Sequence, residues 1–221
     1  MPLGPRASAR APKLEEPTAH VLTPHSGALG AASAAYEKRI EDLAGIYADQ
    51  DAFAASCADR PGQIVYRVED VRPAVASRGL IFGTTYMAPG RIGAEFFVTR
   101  GHIHAIANRP ETYRGERGQG LMLLENPEGE TRILEVAPKV TVYVPPFWIN
   151  RSVNVGAEPL VMSFCYPADA GQDYALIARA GGMATRILSD GAGWRAAPNP
   201  SYRPRGAEEI ASIYASADDT G

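Results

Sequence analysis

Residues 101–111 decide the fold, and they read GHIHAIANRPE. The stretch holds two of the four histidines of the chain, His102 and His104. In an extended strand, side chains two positions apart point to the same face, so both imidazoles can converge on one ion. Glu111 follows the turn-forming residues 108–110 and can add a carboxylate from the neighbouring strand. Two imidazoles and one carboxylate are a common ligand set for Fe, Mn, Zn or Ni, so the stretch predicts a metal site.

Short β-rich runs with turn signals between them surround this stretch on both sides. They read QIVYRV, GLIFGTTYM, AEFFVTRG, GLMLLE, TRILEV, VTVYV and LVMSFCY, from residue 63 to residue 166. Runs such as Ala88-Pro89-Gly90 and Asn126-Pro127-Glu128-Gly129 supply the turns. Many short strands at this spacing predict a sandwich or barrel. No strand–helix–strand alternation is present, so a parallel sheet is not expected.

The two ends of the chain differ in composition and in predicted secondary structure from this β-rich centre. Residues 1 to about 30 are rich in Pro, Ala and Gly and are interpreted as a mobile or surface-wrapping arm. Asp49 or Asp51 is expected to cap a short helix that ends at Pro61-Gly62, and a last helix is predicted near residues 208–214. A further helix is predicted from apolar residues spaced by four, three and four positions: Tyr36, Ile40, Leu43 and Tyr47.

These differences in composition and predicted secondary structure divide the chain into three regions. Residues 1–61 are predicted to form an arm and helices that pack on a barrel, residues 62–200 the metal-binding barrel, and residues 201–221 a tail with a short helix. A chain of 221 residues is long enough for one core with such appendages.

Composition excludes several classes of protein. The net charge is −3 and the pI is about 5.8, which leaves no basic excess for a nucleic-acid partner. No apolar run approaches the roughly 20 residues that a membrane span needs, and the N-terminus does not resemble a signal peptide. The two cysteines, Cys57 and Cys165, form no disulfide framework and are interpreted as small buried apolar residues. A cytoplasmic location is therefore expected.

Several motifs together carry a resemblance to a known family. The pattern HxH, six residues, Glu111, six residues, Gly118 resembles the first cupin motif, and residues 145–154 are similar to the second. More narrowly, the chain resembles the cupin-type glucose-6-phosphate isomerases of archaea and some bacteria. The runs that carry this narrower resemblance are TRGHIH at 99–104, ETY at 111–113, VYVPPFW at 142–148 and YPADAGQDY at 166–174. The resemblance covers roughly residues 62–200, and its last run is specific to that family.

The resemblance implies a fold, a reaction and a set of site residues. The fold would be an all-β cupin barrel, a double-stranded β-helix or jelly roll with short terminal helices, and the family resemblance implies a homodimer. The reaction would interconvert glucose 6-phosphate and fructose 6-phosphate through an enediol, with one divalent metal ion: Fe, Mn, Ni or Zn. The implied metal ligands are His102, His104 and Glu111, with Asn150 in the fourth position. The implied catalytic residues are Glu111 and Tyr166, and the implied substrate and phosphate residues are Thr85, Thr99, Gly101, Tyr113, Gln172 and Tyr174.

Three positions depart from the family pattern. Asn150 stands where the family has a fourth histidine ligand, so affinity for Fe, Ni or Zn is expected to fall. Gln172 stands where a family member has a histidine linked to ring opening, and a glutamine cannot act as an acid or base near pH 7. Lys139 replaces a turn glycine, which predicts a turn that avoids positive φ.

Other readings of the same residues stay open. The isomerase could act on another anionic sugar, such as a sulfonated one. Two histidines and a carboxylate also suit a non-haem iron oxygenase, which would consume oxygen. A non-catalytic sugar-phosphate binder would gain thermal stability from its ligand without turnover. Asp169 and Asp173 are interpreted as turn-capping residues, and Arg100 and Arg109 as surface residues.

Overall fold

The computed structural model describes residues 16–74, 79–191 and 193–216, so part of the predicted arm, residues 1–15, lies outside the described residues. Within these ranges the chain is built mainly from strands. The strands are β1 Leu22–Thr23, β2 Ala28–Leu29, β3 Ala34–Arg39, β4 Ile64–Val71, β5 Leu80–Met87, β6 Arg91–Ile92, β7 Glu95–Phe96, β8 Glu111–Arg117, β9 Gly120–Glu125, β10 Thr131–Val136, β11 Thr141–Val144, β12 Ile149–Val153, β13 Leu160–Pro167, β14 Thr185–Asp190 and β15 Gly193–Pro198. The helices are α1 Gln50–Asp59, α2 Ala175–Arg179 and α3 Ala207–Ala215, with a 3₁₀ turn at Glu41–Leu43.

Antiparallel pairing organises these strands into sheets. One six-stranded sheet has the order β11-β8-β13-β5-β4-β3, and a three-stranded sheet has the order β10-β9-β12. Isolated bridges from Val98 to Val153 and from His102 to Asn150 attach the segment before β8 to the free edge of β12. A four-stranded sheet, β15-β14-β7-β6, and the hairpin β1-β2 complete the structure. The predicted all-β cupin fold is confirmed.

Two apolar cores lie on opposite faces of the three-stranded sheet. Every residue of β9 is buried, and its side chains alternate between the two faces. Met122 and Leu124 belong to the core shared with the six-stranded sheet. Leu121 and Leu123 belong to a second core, to which α2 and β14 contribute. Because both faces of β9 are covered, its sequence is a continuous apolar run rather than an alternating one.

The helix predicted from Tyr36 to Tyr47 is wrong. Tyr36 lies in β3, an edge strand paired with β4 in the register Tyr36 to Val68. The chain then turns through a 3₁₀ helix in which the N–H of Leu43 donates to the carbonyl of Ile40 at 2.9 Å. Ile40, Leu43 and Tyr47 are buried, as the apolar spacing predicted. They are buried by the end of a strand and a turn rather than by one face of a helix. The backbone N–H and C=O groups of β3 form hydrogen bonds with the edge of β4. This pairing involves residues about 30 positions away, so the spacing of apolar residues within 36–47 could not predict it.

Local signals predicted α1 and α3 correctly, whereas α2 was not predicted. Asp49 caps α1, its carboxylate accepting from the N–H of Ala52 at 2.8 Å, and the helix ends before Arg60. The C-terminal helix α3 is also confirmed. The run AEFFVTRG forms a regular ladder only at β7, because the rest of it crosses to β12 through the isolated bridge at Val98. No helix within the described ranges is long and apolar enough to cross a membrane.

The turn at Lys139 contradicts its expected conformation. Lys139 has φ of 74°, in the left-handed region that usually selects glycine. Its N–H donates to the carbonyl of Gly115 at 2.9 Å, and the N–H of Gly115 donates to the carbonyl of Val140 at 2.9 Å. These two bonds to β8 hold the turn in place, so the lysine adopts the conformation that the β11–β8 pairing imposes.

Candidate metal centre

The extended segment before β8 presents the two histidines. His102 and Asn150 exchange backbone hydrogen bonds of 3.0 and 2.9 Å, which fix the segment against β12. Gly101 precedes them with φ of 72°, and a Cβ there would lie 2.8 Å from the carbonyl oxygen of Asn150. Only glycine therefore allows the segment to approach β12 this closely. Glu111 is the first residue of β8, and its carboxylate lies next to the imidazoles of His102 and His104.

The three side chains meet in a buried cluster. The Nε2 atom of His102 is 3.5 Å from Glu111 Oε1, and the Nε2 atom of His104 is 3.9 Å from Glu111 Oε2. One ligand atom from each residue lies within 4.8 Å of the others. His102 Nε2, His104 Nε2 and Glu111 Oε2 are buried without a hydrogen-bond partner. Buried polar atoms are normally satisfied, so three converging unsatisfied ligand atoms fit one divalent cation.

The protonation states of the cluster suit a cation. His104 Nδ1 lies 2.7 Å from the carbonyl oxygen of Arg109, so this nitrogen carries the proton and Nε2 is left with its lone pair. Burial lowers the pKa of His104, which keeps the imidazole neutral. Burial opposes ionisation of Glu111, but attraction to the neighbouring His102 and His104 outweighs burial and lowers the Glu111 pKa. A neutral imidazole and an ionised carboxylate are the forms that bind metals.

Asn150 lies beside the cluster, where the family pattern has a fourth ligand. Its Nδ2 donates to Glu111 Oε1 at 3.3 Å, and its Oδ1 accepts from the hydroxyl of Tyr113 at 3.4 Å. Burial, followed by the charge of Glu111, raises the pKa of Tyr113, so this phenol stays a donor. The amide is thus within reach of the metal position, and its role as a ligand stays a prediction.

An open pocket of about 600 Å³ of empty space adjoins the cluster. Its wall includes nine residues predicted from the sequence: Thr85, Thr99, Gly101, His102, Tyr113, Asn150, Tyr166, Gln172 and Tyr174. His104 and Glu111 do not line it and lie behind this wall. The structure therefore brings the predicted substrate residues together on one side of the metal ligands.

Hydrogen bonds orient several of the pocket residues. The hydroxyl of Thr99 accepts from the N–H of Ser152 at 3.0 Å, which leaves its own proton free to be donated. The hydroxyl of Tyr174 donates to the side-chain oxygen of Gln172. Asp173 caps α2, as expected, by accepting from the N–H of Ala175 at 2.7 Å.

The sequence interpretation missed other pocket residues. Tyr36, Tyr66, Asp70, Arg72, Ser152 and Phe164 also line the pocket. Tyr66 and Asp70 lie on the same face of β4, and Asp70 is held by two bonds from Arg72 of 2.8 and 2.9 Å. An acid on the strand face that otherwise carries Ile64, Tyr66 and Val68 was the available signal. Burial raises the pKa of Tyr66 to about 12.

Two arginines interpreted as surface residues have specific positions. Arg100 lines the pocket, with its guanidinium 5.2 Å from the centre of the Tyr174 ring. Arg109 pairs with Asp169 at 2.9 Å, and this contact lowers the pKa of the Asp169 carboxyl. Asp169 thus anchors the loop whose carbonyl orients His104, a role that its interpretation as a turn cap did not include.

Known proteins resemble this chain over most of its length. The sequence profile of the family "Glucose-6-phosphate isomerase (GPI)" matches residues 37–203. A glucose-6-phosphate isomerase of Sinorhizobium medicae is 55% identical over 203 residues, covering 91% of this chain and 95% of the relative. Those of Thermococcus kodakarensis and Thermococcus onnurineus are 42% and 38% identical, covering 70% and 75% of this chain and 80% and 86% of theirs. The resemblance inferred from the motifs is confirmed.

Proposed function

Because this chain belongs to the glucose-6-phosphate isomerase family, we propose that it interconverts glucose 6-phosphate and fructose 6-phosphate at the cluster of His102, His104 and Glu111. The observation that carries this site assignment is the set of three buried, unsatisfied ligand atoms beside the pocket. Family membership supports the reaction, and the cluster supports this location for it.

His102, His104 and Glu111 would hold one divalent ion, with the Asn150 amide as a neutral fourth ligand. A ligand set of two imidazoles, a carboxylate and an amide suits Mn or Fe somewhat better than Zn. When bound, such an ion polarises the oxygens of the substrate and stabilises the negative charge that develops on them. The residues of the chain position the sugar and move its protons.

Proton transfer between C1 and C2 is assigned to Glu111. A carboxylate with a lowered pKa is ionised at neutral pH and can accept the proton from one carbon and return it to the other. Tyr166 lies beside the cluster, with its ring 5.3 Å from that of His104. Burial raises the pKa of Tyr166, so it acts as a neutral hydrogen-bond donor to the sugar hydroxyls.

The phosphate group is assigned to the part of the pocket around Thr99 and Tyr174, where Arg100 also lines the wall. Thr85, Thr99, Gly101 and Tyr174 would bind it, and the free proton of Thr99 is one donor that the geometry supplies. Gln172 accepts from Tyr174 and would orient that phenol rather than transfer a proton. Hydroxyls and a backbone N–H can hold a phosphate without a net basic protein surface.

The decisive experiment removes the metal with a chelator and reloads the protein separately with Mn, Fe, Ni or Zn. Fructose 6-phosphate is the substrate, and glucose 6-phosphate is the measured product. We expect metal to restore turnover and Glu111→Gln to lower kcat by about 10²–10⁴-fold, the usual contribution of a general base. Glu135→Gln, which neutralises an exposed carboxylate on β10, is the matched control and should retain full activity.

Absence of turnover with every metal, together with thermal stabilisation by fructose 6-phosphate, would show a binding protein instead. Turnover only of a sulfonated sugar would change the substrate but keep the chemistry. Oxygen consumption by the iron-loaded protein would identify an oxygenase. We further propose that the protein acts in the cytoplasm as a homodimer, for which light scattering at two concentrations is the test.

A further inference from the structure

A second cleft lies on the other side of β12 from the metal cluster. It holds about 1150 Å³ of empty space, counting the open solvent at its mouth, against about 600 Å³ for the pocket beside the metal ligands. The turn at residues 44–48, the α2 helix with its following glycines, and Ser201 form its walls. Arg100 and Tyr174 line both spaces, so the two are neighbours that share a wall.

Arg151 is the residue that makes this cleft unusual. It follows Asn150 in β12, so its side chain points away from the metal cluster, and it lines the second cleft instead. Only 6% of the residue is exposed. Its Nη2 donates to the backbone carbonyl of Arg100 at 2.7 Å, while its Nε is buried without a hydrogen-bond partner.

No carboxylate of the described residues lies within ion-pair distance of Arg151. The ion pairs found in residues 16–74, 79–191 and 193–216 do not include Arg151 or Arg100. Arg186 also lines the cleft, but Glu95 neutralises it at 2.6 Å. The exposed Asp42 is the one carboxylate that the described part of the cleft wall supplies. Among the described residues, the cleft wall thus carries two guanidiniums without an ion pair, Arg151 and Arg100, against one exposed carboxylate, while Glu95 and Glu125 attract Arg151 from beyond ion-pair distance.

A buried guanidinium without a counter-ion is costly, because it has lost its hydration and gained no paired charge. An anion that enters the cleft would balance the charges of Arg151 and Arg100, which both line it. Guanidinium groups match the geometry of phosphate oxygens and bind them through paired hydrogen bonds. The volume of the cleft leaves room for a phosphate that carries an organic substituent.

We propose that this cleft is a second anion site, which binds a phosphate-class ligand between Arg151 and Arg100. It is separate from the position assigned to the phosphate of the substrate, which lies in the metal-side pocket at Thr85 and Thr99, and Arg100 and Tyr174 lie between the two spaces. Inorganic phosphate is the simplest probe of this chemistry. The shared wall at Arg100 places the bound anion next to the catalytic pocket.

The test introduces a carboxylate into the cleft without touching either arginine. Ala178 lies on α2, is exposed, lines the second cleft and does not line the metal-side pocket. We compare Ala178→Glu with Ala178→Gln, which has the same size but no charge. Phosphate is titrated calorimetrically into the metal-loaded full chain at constant ionic strength, with and without saturating fructose 6-phosphate.

We expect wild type and Ala178→Gln to bind one phosphate per chain that fructose 6-phosphate does not displace. Ala178→Glu should weaken that binding at least tenfold, because the new carboxylate takes the place of the ligand charge. Ala44→Glu and Ala44→Gln repeat the comparison from another part of the wall, in case the first glutamate turns to solvent. Isomerase turnover without phosphate should stay within about threefold in all four variants.

Equal phosphate affinity in the Glu and Gln variants at both positions would overturn the proposal. The proposal would also be wrong if fructose 6-phosphate displaced all the phosphate bound to the wild-type protein, because the metal-side pocket would then be the phosphate site. Loss of turnover in the unmodified protein would refute the proposed isomerase function instead, and the phosphate titration would still decide the second site.

Discussion

Asn150 is the single residue on which the chemistry of the centre depends most. Its amide bonds both Glu111 and Tyr113, so it joins the metal cluster to the pocket. An amide oxygen is a neutral and harder ligand than imidazole. The centre therefore resembles a three-ligand site with a weak fourth partner.

Replacing Asn150 with histidine should restore a stronger ligand. We expect Asn150→His to tighten Ni and Zn binding by about tenfold or more, because imidazole suits these ions better than an amide does. Competition with a coloured chelator measures the change. Asn150→Ala is the control and should bind metal more weakly than wild type. Equal affinities in all three proteins would show that this position does not reach the ion.

Lys139 carries a backbone conformation that its side chain disfavours. A left-handed residue other than glycine costs about 1–2 kcal/mol, while glycine adds about 0.5–1 kcal/mol of chain entropy in the unfolded state. The first term is larger, so Lys139→Gly should raise the free energy of unfolding by about 0.5–1 kcal/mol. Urea denaturation measures it. Lys139→Ala keeps the strain and should give no gain; equal gains from both substitutions would mean that the lysine charge is responsible.

At the level of strands and helices, β9 organises the molecule. Its alternating side chains serve two cores, and its last residue, Glu125, anchors the C-terminal segment. Glu125 Oε1 accepts from Arg205 at 2.8 Å, and Glu125 Oε2 accepts from the N–H of Ala184 at 2.6 Å. Both charged side chains are almost completely buried. This contact fastens the chain beyond β15 to the barrel.

Breaking that buried pair should be strongly destabilising. Arg205→Met leaves the Glu125 charge buried with one donor fewer, which costs about 3–5 kcal/mol in comparable pairs. Thermal unfolding measures the loss. The exposed pair of Arg132 and Glu130, 3.3 Å apart, provides the control, and Arg132→Met should change stability little. A small effect at both positions would mean that the C-terminal segment adds little to the stability of the barrel.

At the scale of the whole molecule, the proposed metal centre would couple stability to metal binding. Three unsatisfied ligand atoms lie inside the barrel, so the metal-free protein retains a defect that an ion removes. An ion that binds the folded state at 1,000 times its Kd adds about 4 kcal/mol. For a domain of this size that corresponds to a rise in Tm of about 10 °C.

Removing the metal should therefore lower Tm by about that amount and make stability depend on pH. Burial lowers the pKa of His104 in the folded state below its ordinary value of 6.5. As the pH falls below about 6.5, the unfolded chain binds a proton that folded His104 resists, so the metal-free protein loses stability. Urea denaturation at pH 7.5 and pH 5.5 measures the loss. His104→Gln should reduce this pH dependence, and an unchanged dependence would assign it to another group.

The sequence by itself determined the features that short-range chemistry controls. The GHIHAIANRPE stretch predicted the residues that cluster as candidate metal ligands, since side-chain direction in an extended segment follows from the backbone alone. The apolar runs predicted strands β4, β5, β9, β10, β11 and β13, and Asp49 predicted the start of α1, because a cap depends only on its neighbours. The motifs also identified the family.

Only the tertiary structure decided the features that depend on distant partners. β3 is a strand because the edge of β4 was open to it, and Lys139 is left-handed because β8 holds its turn. Tyr36 and Asp70 enter the pocket, and Arg151 faces a second cleft, because of which strands lie next to one another. Local sequence fixes the direction of a side chain along its strand, whereas pairing across the sheet fixes what that side chain meets.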